Sequence, residues 1–354
     1  MFFRRKKTKE IRVGTVRIGG GNPIIVQSML KSRLENIQAV KNEIKDLEEH
    51  GCEIIRIAVP DSEAVKIIKK LISECDVTRP VVADIQFDYR LALESLDAGV
   101  NCVRINPGNI GGKDKLEKIV VKARQKNSAI RIGVNSGSIH RDILHKNKGN
   151  ITDSIVDSVT DTVEFMEKLG FYNFKIAAKA SSVLDTVMAY RAISSKVDYP
   201  LHLGVTEAGP LVTGSIKSAL CFGILLSEGI GDTIRVSLTD SSVSEVKTAY
   251  FILSNLNLRR QGINIISCPT CSRTTVDLGE IVRKVEMLTQ PLNKSMNIAV
   301  MGCVVNGPGE ARDADIGIAY GIKKAAIFIN GRVIRRVEIN QVLDEFKTEL
   351  DKLV

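Results

Sequence analysis

Tryptophan is absent from this chain of 354 residues, and aromatic residues of all kinds make up only 5% of it. Proteins that hold single-stranded nucleic acid stack bases on aromatic rings, so that class starts at a disadvantage despite a formal net charge of +9. Long apolar runs are missing as well. Nothing approaches the ~20 residues of a membrane-spanning helix, and Phe2-Phe3 runs straight into Arg4, Arg5, Lys6 and Lys7. The chain therefore reads as neither secreted nor membrane-inserted, and a cytoplasmic location is expected. Seven cysteines, an odd number spread over a long chain, argue against a disulfide framework and for reduced thiols. No GxGxxG turn occurs, which removes the usual signal of a dinucleotide-binding sheet.

What is present is an ordinary globular composition, 44% hydrophobic and 26% charged. From residue 24 to about 240, β-branched runs alternate with amphipathic helical stretches, the pattern of βα units around a parallel sheet. Strands are expected near 24–28, 53–58, 81–85, 101–105, 130–134, 173–177, 201–205 and 232–237. Eight strands over this length match an eight-stranded TIM-type (β/α)8 barrel, with an open doubly wound sheet as the arrangement that periodicity alone leaves standing. Ile37, Val40, Ile44 and Leu47 share a helical face ahead of a stop at Gly51, and Asp61 or Ser62 is placed to cap the helix marked by Val65, Ile68 and Ile72. Residues 11–18 read as a hairpin on the barrel floor.

A polar break at 255–262 separates a barrel domain, 1–258, from a smaller α+β domain, 259–354. In the latter a helix is expected near 276–289, strands near 297–303, 315–319, 325–329 and 332–337, and a closing helix over 340–352.

Cys268-Pro269-Thr270-Cys271 opens the second domain, and Cys303 lies in Met301-Gly302-Cys303-Val304-Val305-Asn306-Gly307-Pro308-Gly309-Glu310. A Cys-x2-Cys pair alone is a redox disulfide, half a zinc site or part of an iron-sulfur site. Structural zinc wants four Cys or His ligands, yet this domain has no fourth cysteine and no histidine. Three thiolates with a missing fourth ligand suit a cluster with one distinctive iron, and Glu310 is the oxygen candidate. Cys52, Cys75, Cys102 and Cys221 sit in apolar segments and read as small hydrophobes.

The second signal is a basic residue set between aliphatics inside a strand. It occurs at Ile55-Arg56-Ile57, Val103-Arg104-Ile105, Ile130-Arg131-Ile132 and Ile234-Arg235-Val236, with Lys179 just past the sixth strand. An unpaired guanidinium buried there costs several kcal/mol. The strand-end carboxylates in view are mainly Asp84, Glu207 and Asp240, too few for five cations, so a multiply anionic ligand at the barrel mouth is expected to balance the excess. Asn106, Asn135, His202, Thr206 and Ser237 are further strand-end polar residues, His202 being open to a plain core role.

These motifs, together with Val26-Gln27-Ser28-Met29, Val82-Ala83-Asp84-Ile85, Arg104-Ile105-Asn106-Pro107-Gly108-Asn109 and Leu203-Gly204-Val205-Thr206-Glu207-Ala208-Gly209, closely resemble the bacterial 4-hydroxy-3-methylbut-2-enyl diphosphate synthases of the non-mevalonate isoprenoid pathway. The resemblance covers essentially the whole chain. It implies an oxidoreductase that opens and dehydrates 2-C-methyl-D-erythritol 2,4-cyclodiphosphate, with a second domain like the cluster-bearing module of sulfite and nitrite reductases. It further implies a [4Fe-4S] cluster on Cys268, Cys271 and Cys303 with Glu310 as the non-cysteine ligand, and diphosphate binding by Arg56, Arg104, Arg131, Asn135, Lys179 and Arg235, with Thr206, Glu207 and Ser237 nearby. Glu207 and Glu310 are the catalytic candidates. Ferredoxin or flavodoxin is implied as electron donor, and a head-to-tail homodimer as the assembly. Two positions depart from the family pattern: Gln86 stands where His is expected, and Leu30 where Thr is usual. Two rival readings remain. One is a phosphate-binding barrel enzyme with a structural metal module and no redox role; the other is a nucleic-acid-binding protein, which the placement of the cations inside strands disfavours.

Overall fold

The computed structural model describes residues 4–75, 77–139, 141–180, 182–206, 208–289, 292, 294–303 and 314–354. The chain divides into two compact units, Met1–Arg259 and Arg260–Val354.

In the first unit an antiparallel hairpin, β1 (Ile11–Val13) and β2 (Val16–Ile18), precedes eight parallel strands. These are β3 (Ile25–Met29), β4 (Ile54–Val59), β5 (Val81–Ile85), β6 (Cys102–Ile105), β7 (Ala129–Asn135), β8 (Phe174–Lys179), β9 (His202–Leu203) and β10 (Thr233–Ile234). Their bonded order is β8-β7-β6-β5-β4-β3-β10-β9, and a parallel bridge from Ile176 of β8 to Leu201, just ahead of β9, closes the ring. The fold is a TIM-type barrel. β9 and β10 are shorter than their sequence runs, although the Arg235 N–H still reaches the Leu203 carbonyl at 3.0 Å.

The strands are wrapped by α1 (Ile37–Glu49), α2 (Ser62–Glu74), α3 (Tyr89–Asp97), α4 (Lys113–Gln125), α5 (Arg141–Lys146), α6 (Ile151–Lys168), α7 (Val183–Lys196), α8 (Leu211–Ser227) and α9 (Ser242–Asn255). Local chemistry sets their ends. Asp61 caps α2 by accepting the Ala64 N–H at 2.9 Å. Gly51 follows α1 with φ +84°, a left-handed conformation that glycine adopts without the Cβ penalty.

Side-chain alternation sorts the strands into two faces. Outward residues such as Ile55, Ile57, Val103, Ile130, Ile132 and Ile176 are almost fully buried under the helices. Inward residues at the start of the strands, Ile25, Ile54, Val82, Cys102 and Ala129, pack with Ile11, Val13 and Ile18 of the hairpin. The hairpin thus plugs the floor of the barrel. Part of the basic run near the N-terminus is also structural: Arg5 pairs with buried Asp232 at 3.0 Å, and Lys6 with Asp198 at 3.0 Å.

The second unit is a five-stranded sheet in the order β11 (Ile263–Ser267), β12 (Met296–Met301), β13 (Ile316–Tyr320), β14 (Lys324–Ile329), β15 (Arg332–Glu338). The first three run parallel and the last two antiparallel. Helices α10 (Leu278–Thr289) and α11 (Val342–Asp351) cover the sheet through Leu278, Val285 and Phe346. β11 is absent from the sequence-based reading. It is an edge strand directly after the polar break, and Ile263, Ile265 and Ile266 give it a β-branched signal that a boundary placed at 255–262 leaves unassigned.

Candidate functional site

Two residues further along each strand than the floor layer, the inner face of the barrel becomes charged. Register places Asp84 beside Arg104, Arg104 beside Arg131, and Arg131 beside Lys175. Asp84 forms ion pairs with Arg56 and, at 3.4 Å, with Arg104, and it accepts the Gln86 amide at 3.0 Å. Burial works to raise the Asp84 carboxyl, but the charges of Arg56 and Arg104 and the Arg56 hydrogen bond outweigh it, and the net shift is downward.

The other carboxylate is Glu245 of α9. It lies 3.0 Å from Lys31 and 3.6 Å from Arg235, and it accepts the Leu238 N–H and the Ser28 hydroxyl. The sequence reading gave this balancing role to Asp240 instead. Asp240 is exposed and accepts the Ser241 N–H and the Ser244 hydroxyl at the start of α9. Glu245 had a legible signal: it shares the buried face of α9 with Ser242, Val246 and Ala249.

Six basic side chains of the barrel strands, Arg56, Arg104, Arg131, Lys175, Lys179 and Arg235, with Lys31 as a seventh cation on Glu245, therefore face two carboxylates among the described residues. Arg131 Nε and Nη1 and Lys175 Nζ are buried without a hydrogen-bond partner among the described residues. Burial is the largest cause lowering the pKa of Arg131, Lys175 and Lys179, and neighbouring arginines add to it. Lys175 comes down to about 8. His202, open to two roles in the sequence, is fully buried with Nδ1 2.7 Å from the Thr233 hydroxyl and Nε2 unpartnered among the described residues.

Glycine makes the room these side chains occupy. A Cβ at Gly133 would lie 2.5 Å from Arg104 Nε, and one at Gly204 would lie 2.7 Å from Lys179 Nζ. Asn135 pairs in register with Lys179 at the upper end of the barrel, and Thr206 and Ser237 follow β9 and β10 on the same inward phase. Glu207 and Glu310 lie outside the described residues. Lys175 is the inward cation that sequence reasoning missed. Its signal was its phase, four residues before Lys179 on one strand face.

In the second unit, parallel pairing of β11 with β12 brings Cys268 and Cys303 to the same end of the sheet. The Gly302 N–H donates to Cys268 Sγ at 3.3 Å, and the Thr275 N–H donates to the Gly302 carbonyl at 3.4 Å. Cys271 is exposed, and a hydrogen bond from the Arg273 backbone lowers its pKa. No three His, Cys, Asp or Glu side chains among the described residues already form a metal cage. Cys52, Cys102 and Cys221 are buried, and burial raises their thiols to about 12, 11 and 12.

The model of the GcpE TIM-barrel domain matches residues 8–250, and that of the GcpE protein C-terminal domain matches residues 264–352. The chain belongs to the GcpE family. It is 48% identical over 354 residues to the 4-hydroxy-3-methylbut-2-en-1-yl diphosphate synthase (flavodoxin) of Caldanaerobacter subterraneus subsp. tengcongensis, covering 100% of this chain and 99% of the relative. To the enzyme of the same name from Maridesulfovibrio salexigens it is 50% identical, over 98% of this chain and 97% of that one. Among solved structures, the Yersinia pestis dihydropteroate synthase is similar at a TM-score of 0.49 and 14% identity over 70% of this chain and 98% of that chain, too slight a likeness to bear on activity. Within this GcpE chain the two departing positions have plain structural surroundings. Gln86 donates to Asp84, and Leu30 is buried in the barrel core.

Proposed function

We propose that this chain is a 4-hydroxy-3-methylbut-2-en-1-yl diphosphate synthase, which reductively opens 2-C-methyl-D-erythritol 2,4-cyclodiphosphate and eliminates water. The observation that carries the reading is the excess of inward basic side chains over carboxylates in a barrel of the GcpE family. Arg56, Arg104, Arg131, Asn135, Lys179 and Arg235 hold the diphosphate, with Thr206, Glu207 and Ser237 around the carbon skeleton. Ring opening leaves a phosphate oxygen that carried no charge in the ring, and cations already fixed beside it stabilise that charge as it develops. Arg131 and Lys175, short of partners, gain most from the ligand.

Cys268, Cys271 and Cys303, with Glu310, are the residues that would hold a [4Fe-4S] cluster. The donor set fits in its chemistry: three thiols on adjacent loops, one already accepting the kind of backbone N–H bond that tunes a cluster sulfur. When bound, such a cluster supplies the two electrons one at a time and a Lewis-acidic iron for the departing oxygen. The relatives' names support flavodoxin as donor. A cytoplasmic location is part of this reading; among the described residues no helix is long and apolar enough to cross a membrane. The assembly is a head-to-tail homodimer; an apolar strip of Leu184, Met188, Val212, Ile216 and Leu220, each more than half exposed on the adjacent helices α7 and α8, supports self-association.

The test is turnover of the cyclodiphosphate by anaerobically purified protein, with product identified by mass spectrometry and iron and sulfide measured on the same sample. About four irons and four sulfides per chain and formation of the linear diphosphate are expected. Stoichiometric zinc without sulfide in protein never exposed to air would favour the rival, a phosphate-binding barrel with a structural metal module.

A further inference from the structure

Strand β9 is only two residues long, and the seam between it and β8 starts with one rung: the Ile176 N–H donates to the Pro200 carbonyl at 2.9 Å. Parallel pairing advances two residues per rung, so the next bond belongs to the Ala178 N–H and the His202 carbonyl. That rung runs through a side chain instead. The Ala178 N–H donates to the Tyr190 hydroxyl at 3.1 Å, and the hydroxyl donates to the His202 carbonyl. Tyr190 comes from α7 and is fully buried. One turn earlier on that helix, the Thr186 hydroxyl accepts the Ala180 N–H at 3.2 Å. The two amides held in this way flank Lys179, and the carbonyl held with them lies two residues before Gly204, where a Cβ would meet Lys179 Nζ.

A hydroxyl set between two strands keeps them farther apart than a direct N–H···O=C bond of about 2.9 Å. Lys179 and Gly204 stand on the strand ends just beyond this wider point. Arg56, Arg104 and Arg131, by contrast, stand on strands joined by direct backbone ladders. We propose that Tyr190, with Thr186 beside it on α7, is a positioning residue for Lys179: its hydroxyl sets the spacing of β8 and β9 and so fixes where the ammonium meets the ligand. The inference rests on the reading of Lys179 as a diphosphate ligand. A small shift of the strand end suffices to matter, because a charge-assisted hydrogen bond is directional. A tyrosine that only fills space would be matched by phenylalanine, which keeps the ring and lacks the rung.

Calorimetric titration of the cyclodiphosphate into intact, anaerobically purified protein, beside denaturant melts, compares wild type, Tyr190→Phe, Lys179→Met and the double variant. Tyr190→Phe should lose some stability and lower affinity about tenfold, whereas on the Lys179→Met background the same change should alter affinity less than about twofold. Thr186→Val should lower affinity about threefold, and Thr186→Ser, which keeps the hydroxyl, should hold it at the wild-type value. Wild-type affinity in folded Tyr190→Phe overturns the proposal. So does an equal loss on the Lys179→Met background, which assigns the tyrosine to the barrel as a whole. If Tyr190→Phe does not fold, the Thr186 variants on the two backgrounds decide in the same way. Titration with inorganic pyrophosphate keeps the two readings apart. Coupling to Lys179 seen with pyrophosphate, in a protein that does not bind the cyclodiphosphate, upholds the positioning role and removes the proposed substrate.

Discussion

The floor and the upper part of the barrel interior are made by the same strands only two residues apart, yet they are built on opposite principles. On the floor Ile25, Ile54, Val82 and Cys102 close against Ile11, Val13 and Ile18, and every side chain is apolar and satisfied by contact. Above it Arg56, Arg104, Arg131 and Lys175 occupy the same inward phase with too few carboxylates to answer them. The lower layer stabilises the fold by removing apolar surface from water. The upper layer costs stability until something anionic arrives, and that cost is the measure of how far it is built for a ligand.

Substitution on the two layers should separate these roles. Arg131→Met removes a fully buried guanidinium that lacks partners at Nε and Nη1, so thermal stability should hold or rise while affinity for the cyclodiphosphate falls by about 2 to 5 kcal/mol. Ile54→Ala, one layer below and fully buried, should do the reverse. It should lower stability by about 3 kcal/mol, with the affinity of the folded fraction unchanged. Denaturant melts beside calorimetric titrations check both; a destabilised Arg131→Met that binds normally would show the upper layer to be structural.

The two-residue alternation behind this contrast was legible in the sequence, because Ile-Arg-Ile and Val-Arg-Ile triplets put branched side chains under the helices and the cation inward. Eight strands, the floor hairpin and the caps at Asp61 and Gly51 were legible for similar local reasons. What escaped was set by tertiary context. Glu245 reaches the barrel cations from a helix more than two hundred residues after its Ser28 partner, and no local pattern assigns it to Arg235 in place of Asp240. Edge strand β11 carries its own β-branched signal in Ile263, Ile265 and Ile266, but nothing local ties it to β12, and that pairing is what brings Cys268 beside Gly302. Lys175 lies between Phe174 and Ile176, outside the pattern of an arginine between two aliphatics, and only its pairing in register with Arg131 places it in the charged layer.

Lys175 sharpens the contrast through its proton. Burial, reinforced by Arg131 and Arg56, lowers its pKa from 10.5 to about 8, a folding penalty of about 3 kcal/mol when the ammonium form is kept. The folded value lies below the unfolded one, so the unfolded chain binds more protons between about pH 8 and 10.5. Stability of the wild type should therefore rise with pH across that window, relative to Lys175→Met, and the penalty should be fully present below it. Lys175→Met should be the more stable protein at pH 7. A diphosphate above the ammonium pushes its pKa back up, so binding at pH 8.5 should take up a fraction of a proton in the wild type and less in Lys175→Met. Titration in two buffers of different ionisation enthalpy measures that difference; identical uptake would remove Lys175 from the ligand's field.

The smallest change tests the space instead of the charge. The floor is filled by apolar side chains from the strands and the hairpin, whereas in the upper layer Lys179 and Arg104 fill the space that a Cβ at Gly204 or Gly133 would take. A methyl at position 204 would sit 2.7 Å from Lys179 Nζ and 2.8 Å from its Cε. Those atoms are the far end of a flexible side chain, so the ammonium shifts and the backbone does not. Gly204→Ala should leave stability within about 1 kcal/mol, since the position needs no left-handed backbone. Affinity for the cyclodiphosphate should fall roughly tenfold, about 1.4 kcal/mol, because a cation held a few tenths of an ångström out of place loses a directed hydrogen bond but keeps most of its Coulomb attraction. Raised salt should erase little of the remaining affinity in either protein if the buried cations dominate binding. A Gly204→Ala protein with wild-type affinity would mean that Lys179 reaches the ligand from more than one position, and that the glycine is not what fixes the ammonium.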